Sequence, residues 1–242
     1  LTSIARQALF AGQPPQLFPQ SWQTTDKETQ RWQKFWQEQG LPSGAIGYAR
    51  NLGTRVIQSN QSDPTIDETD ITLEPKTLAI IENPKMQVAG LVVNTVDSIS
   101  HGMQLGTAGM HQQIRLWMTQ QRYLTRLVQK LLDQKFTVFL TADHGNVLAE
   151  GIGRPNEGSL VETRGQRARI YTDPAFLDLA RQQMPEIIGW SNIGLPTGLQ
   201  VLLAPKLKAF LNSGEQAVCH GGIALEEVIV PFVHISNKEA IA

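Results

Sequence analysis

FTVFLTADHGNV (136–147) opens as a run of apolar and β-branched residues and stops at an acid, an imidazole and a glycine. Residues 136–142 read as a buried strand. Asp143 and His144 then stand where that strand runs out, and Gly145 permits a sharp bend behind them. A polar turn explains this pattern, and so does a metal site.

Working outward, VAGLVVNTV (88–96) is a second continuous β-branched run, followed at once by Asp97. Between the two runs Met110, Ile114, Trp117, Leu124, Leu127 and Leu131 recur at helical spacing. Strand, long helix, strand predicts a βαβ unit whose two strands are near neighbours in a parallel sheet. In open α/β sheets ligands bind beyond the carboxyl ends of the strands. Asp97 and Asp143-His144 both fall at such ends.

The remaining chain fits the same class. Residues 2–11 read as a helix ending at Gly12 and Pro14-Pro15. Thr25 with Glu28 three residues on reads as a capping box, and Trp32, Phe35 and Trp36 share a face of the helix that Gly40 closes. Asp173-Pro174 starts another helix. QVLLAP (200–205) reads as a strand followed by a short helix towards Gly214, and EVIVPFVHI (227–235) as the last strand. The expected fold is α/β, with a mixed, largely parallel sheet flanked by helices on both faces. We expect one domain over 1–242, with 41–85 as a cap or insertion of irregular or strand-rich structure.

Composition narrows the partners. With 242 residues and 41% hydrophobic content the chain can bury a substantial core. A net charge of −1 lacks the basic footprint of a nucleic-acid binder. Cys219 is the single cysteine, so no intrachain disulfide forms, and a reducing, cytoplasmic setting is expected. No apolar run approaches about 18 residues, so no membrane partner is expected. The opening LTSIARQALFAG reads as the interior of something longer, so an N-terminal strand is expected upstream of it.

Three clusters carry the chemistry. Asp97 and His101 are four apart and share a helix face, where both can bind one cation; an N-cap Asp and a surface His is the plainer reading. Asp143-His144-Gly145 is the second. Cys219-His220-Gly221-Gly222 is the third, where paired glycines let the backbone approach a ligand; a turn histidine is the alternative. Cys219 itself reads as a buried thiol rather than a ligand. His111 and His234 lack such company and read as structural or surface residues.

DSISHG (97–102), LTADHGN (140–146) and HGGIALEEVIVPF (220–232) resemble the metal-binding framework of the alkaline phosphatase superfamily. Together with LTSIARQALFAG (1–12), they are most similar to its PglZ branch, known from bacterial phage-resistance systems. The resemblance implies an alkaline-phosphatase-like fold and two divalent metal ions, Zn²⁺ preferred and Mn²⁺ the alternative. It implies Asp97, His101 and His220 as ligands of one ion, and Asp143, His144 and Thr2 as ligands of the other. Thr2 would be the nucleophile. A further family Asp would lie on the upstream strand. The implied activity is a metal-dependent phosphohydrolase, foremost a phosphodiesterase, acting on a phosphate ester such as a nucleotide or oligonucleotide, with a role in phage defence or signalling. Sulfatases and mutases of the superfamily fit less well outside the metal ligands. The competing expectation is a weakly active or inactive module that binds metal or partner proteins within a larger assembly.

Arg6, one turn beyond Thr2, is a candidate phosphate contact, against a plain helix-surface arginine. Asn146 and Glu150 are weaker candidates. Arg164, Arg167 and Arg169 line a substrate channel or, more simply, a solvated strand face. Glu226 and Glu227 are expected in solvent.

Overall fold

A computed structural model describes residues 2–53, 73–101, 106–155, 163–164, 166–191 and 193–237. The helices are α1 (Thr2–Ala11), α2 (Glu28–Glu38), α3 (Pro75–Ile81), α4 (Thr95–His101), α5 (Gly106–Leu116), α6 (Tyr123–Asp133), α7 (Pro174–Gln183) and the single turn α8 (Leu225–Val228). The strands are β1 (Ile46–Leu52), β2 (Val88–Val93), β3 (Val138–Thr141), β4 (Val147–Gly151), β5 (Thr163–Arg164), β6 (Ala168–Tyr171), β7 (Ile188–Trp190), β8 (Gln200–Leu203), β9 (Lys208–Ala209), β10 (Gln216–Cys219) and β11 (Phe232–Ile235). The class is α/β. The chain forms two compact units, each built from separated stretches of sequence.

One unit comprises 29–102, 108–141 and 231–242. β1 pairs with β2 in parallel, from Ile46 opposite Val88, although β1 lies inside the 41–85 region. β3 pairs antiparallel with β11, Thr141 opposite Phe232. Its core gathers Ala49, Leu52, Ile81, Trp117, Leu127 and Leu131. α6 presents Tyr123, Leu127 and Leu131 to that core, one residue per turn on one face. The single long helix expected here is two helices. A π-turn at Trp117–Gln121 and Arg122, held at φ 51°, separate α5 from α6.

The other unit comprises 1–28, 103–107 and 142–230. Strands β5, β6, β8 and β7 form an antiparallel sheet in that order. β6 is buried along its whole length, and Ile170, Val201 and Leu203 pack on Ile4 of α1 and on Trp22. A second sheet has the order β10-β4-β9. Asp173 caps α7 as expected, its Oδ1 accepting from the Ala175 N–H at 2.9 Å.

The largely parallel sheet is corrected by this topology. Five of the seven strand pairings are antiparallel among the described residues. β2 and β3, expected as parallel neighbours, pair with β1 and β11 instead. An uninterrupted apolar run reports burial, not the identity or direction of the partner. Three local readings also change. The stretch after β8 holds β9 and turns rather than a helix, and Pro231 confines the last strand to Phe232–Ile235 behind α8. α2 begins at Glu28 itself; the Glu28 carboxylate, expected in a capping box with Thr25, is paired with Arg6.

Candidate metal centre and nucleophile

The antiparallel register of β10 on β4 sets the site. Cys219, the last residue of β10, lies opposite Val147, the first of β4. His220 leaves one strand and His144 approaches the other at the same end of the pair. Their rings stack, centroids 4.0 Å apart and planes at 7°. Donor atoms of the two imidazoles come within 4.8 Å. Two histidines 76 residues apart in sequence thus meet because of one antiparallel pairing, not at the ends of parallel strands.

Thr2 opens α1, which a buried amide ties to the segment around Ser21 and Thr24. Gln7 is fully enclosed; its Nε2 donates to the carbonyls of Ser3 (3.3 Å), Thr24 (2.6 Å) and Ser21, and its Oε1 accepts from Ser21 Oγ at 2.9 Å. Thr2 Oγ1 then lies 3.1 Å from His144 Nε2. His144 Nδ1 is 3.0 Å from the Gly145 carbonyl oxygen. A carbonyl only accepts, so Nδ1 carries a proton, and in the neutral imidazole Nε2 then presents a lone pair that the Thr2 hydroxyl can reach. That is the tautomer a metal ligand requires.

Asp143 Oδ2 sits 3.5 Å from the same Nε2. It is shielded from water and has no hydrogen-bond partner among the described residues. A buried carboxylate oxygen without a donor is costly unless a cation completes it. Two imidazoles, a carboxylate and a hydroxyl are a mixed N/O set suited to zinc or manganese. Cys219 is fully buried, and burial pushes its thiol up to about 11, as expected for an inert thiol.

Asp97 and His101 belong to the other unit. Both lie on α4, four residues apart, Asp97 in the first turn and His101 at the end. The His101 side chain lies outside the described residues. His111 and His234 are exposed, as expected.

Arg6 is 8% exposed and its Nη2 donates to Glu28 Oε2 at 2.5 Å, so its guanidinium is engaged inside the protein. Glu150 bonds the Lys208 ammonium at 2.8 Å on the surface. Arg169 is buried over the Phe210 ring at 5.2 Å. Arg167 is buried too, which corrects both the channel and the solvated-face readings for these two residues; the Arg164 side chain lies outside the described residues. Glu226 is exposed as expected, but Glu227 is 2% exposed and paired with Arg167. The signal that identifies Glu227 is positional: a Glu at the third position of a helical turn can reach back to the turn's first N–H, here that of Ala224 at 3.1 Å.

No curated protein matches the chain. The family model described as the BREX system PglZ alkaline phosphatase-like domain matches residues 1–235. The motif order, the clustered donors and this match agree, and the chain belongs to the PglZ family of alkaline phosphatase-like, phosphoesterase-type domains.

Proposed function

We propose that the domain is a metal-dependent phosphodiesterase with Thr2 as its nucleophile. The observation that carries this reading is the convergence of the Thr2 hydroxyl on His144 Nε2 at 3.1 Å, beside a buried Asp143 oxygen that lacks a hydrogen bond among the described residues. Asp143, His144 and Thr2 would hold one ion, with His220 beside them as a ligand of the second. Two divalent ions, when bound, lower the pKa of the attacking hydroxyl and neutralise charge on the phosphoryl oxygens. Thr2 Oγ1 attacks phosphorus, the ester oxygen leaves, and a phosphothreonine at Thr2 is later cleaved by water. The N-terminal end of α1 favours the anionic phosphate beside Thr2. Arg6, engaged with Glu28, braces α1 rather than contacting phosphate. The substrate is a phosphate ester, with nucleotides or oligonucleotides as the class, zinc as the metal, and phage resistance in the cytoplasm as the setting.

Metal content and hydrolysis of bis-p-nitrophenyl phosphate test this together. Bound zinc or manganese is expected in the purified protein, with turnover lost at least about 10³-fold in Thr2→Ala and Asp143→Ala. Undiminished turnover in folded Thr2→Ala would remove the nucleophile assignment. A wild type without metal or turnover would leave a binding module.

A further inference from the structure

We propose that Glu227, braced by Arg167, is the positioning residue that fixes His144 and His220 relative to each other; as a metal-site device this rests on the proposed metal reading. The Glu227 carboxylate has four donors. Oε1 accepts from Gly222 N–H at 2.8 Å and Arg167 Nε at 3.0 Å. Oε2 accepts from Ala224 N–H at 3.1 Å and Arg167 Nη2 at 2.9 Å. The side chains of Arg167 and Glu227 are each 1% exposed. Arg167 Nη1 donates onward to the carbonyls of Lys208 and Ala204.

The main chain of the same glutamate reaches the other histidine loop. The Glu227 carbonyl accepts from Gly145 N–H at 2.8 Å. The Gly145 carbonyl in turn accepts from His144 Nδ1. One residue therefore anchors the loop after His220 through its side chain and the loop after His144 through its backbone. The two glycines are required by this closeness. A Cβ on Gly145 would overlap the Glu226 carbonyl oxygen, and one on Gly222 would overlap the Glu227 carboxylate and the Arg167 guanidinium.

A buried ion pair gives little net stability, because desolvating two charges offsets their attraction. Apolar residues would fill this space at least as well. What the pair adds is a fixed relation between the two loops, and outer-shell partners that orient metal-binding histidines typically set metal affinity by about 10–100-fold.

The test uses Glu227→Gln and, because a lone buried arginine can prevent folding, the double variant Arg167→Met/Glu227→Gln. Two quantities are measured: the ring ¹H–¹⁵N NMR signals of His144 and His220 in metal-free protein, and zinc affinity by chelator competition. Leu202→Ala, a core truncation in the same unit, controls for plain destabilisation. We expect displaced His144 and His220 signals, unmoved His111 and His234 signals, and zinc affinity lower by about 10–100-fold. Leu202→Ala should lower the melting temperature and leave rings and zinc unchanged. Unmoved rings with wild-type zinc affinity in the folded double variant would overturn the proposal, as would equal displacement in Leu202→Ala. If the wild type takes up no zinc, the metal reading falls alone, and the ring signals still decide the positioning role.

Discussion

Gly145 shows how tightly single atoms define this site. Its N–H meets Glu227, its carbonyl orients His144, and no Cβ fits beside Glu226. Gly145→Ala therefore pits backbone against backbone, which a rotamer change cannot relieve. It should cost about 1–3 kcal/mol of stability, the scale of overpacking, and weaken zinc binding more than the stability loss alone implies. Thermal unfolding and chelator competition on the one variant separate the two effects. The Arg6–Glu28 pair makes a different prediction. Both side chains are withdrawn from solvent, so Glu28→Ala leaves a buried guanidinium without its carboxylate and should cost about 3–5 kcal/mol in denaturant unfolding. Asp143, His144 and His220 stand out in the sequence as candidates because their residue types and order are themselves the signal. Glu227 and Arg167 do not, because a charge beside an apolar run looks solvated until a partner 60 positions away is known.

Helices and strands show the same division. α1, α7 and β8 were legible, since caps, prolines and periodicity are local features. The pairing of β4 with β10 was not, because register depends on segments far apart in the chain. It is this pairing that stacks the two histidines. α1 has its own long-range anchor in Gln7, whose amide donates to the main-chain carbonyls of Ser21 and Thr24. Gln7→Leu matches its size but removes the amide bonds to the Ser21 and Thr24 carbonyls that tie α1 to that segment. It should destabilise by about 1–3 kcal/mol and lower kcat more than it raises KM, because Thr2 rides on the same helix. Asp173→Ala removes only a cap in the same unit. It should cost about 1 kcal/mol and leave kcat and KM unchanged. Comparing the two variants by steady-state kinetics shows whether the Gln7 effect is transmitted through α1.

For the molecule as a whole, the α/β class was legible from its alternating periodicities, and the division into two units was not. Contacts between distant segments create that division, and composition does not change at its boundaries. The unit lacking Thr2 carries a pH dependence of its own. Tyr123 is 1% exposed and its hydroxyl donates to Glu74 Oε2, while Glu74 Oε1 accepts from Gly53 N–H at 2.8 Å. Burial, followed by the hydrogen bond to Glu74 and that carboxylate's charge, pushes the phenol far above its ordinary value of 10.0. The folded state therefore holds this proton more tightly than the unfolded chain does. The stability it contributes is fully present below about pH 10 and is lost as the pH climbs towards the folded-state value. Melting temperatures measured from pH 8 to 11 should fall steeply in the wild type at the upper end. Tyr123→Phe should start lower at pH 8, having lost the bond to Glu74, and decline less, since no phenol remains to ionise on unfolding. Parallel curves would show that alkaline instability arises elsewhere, and that the Tyr123–Glu74 bond acts only through packing.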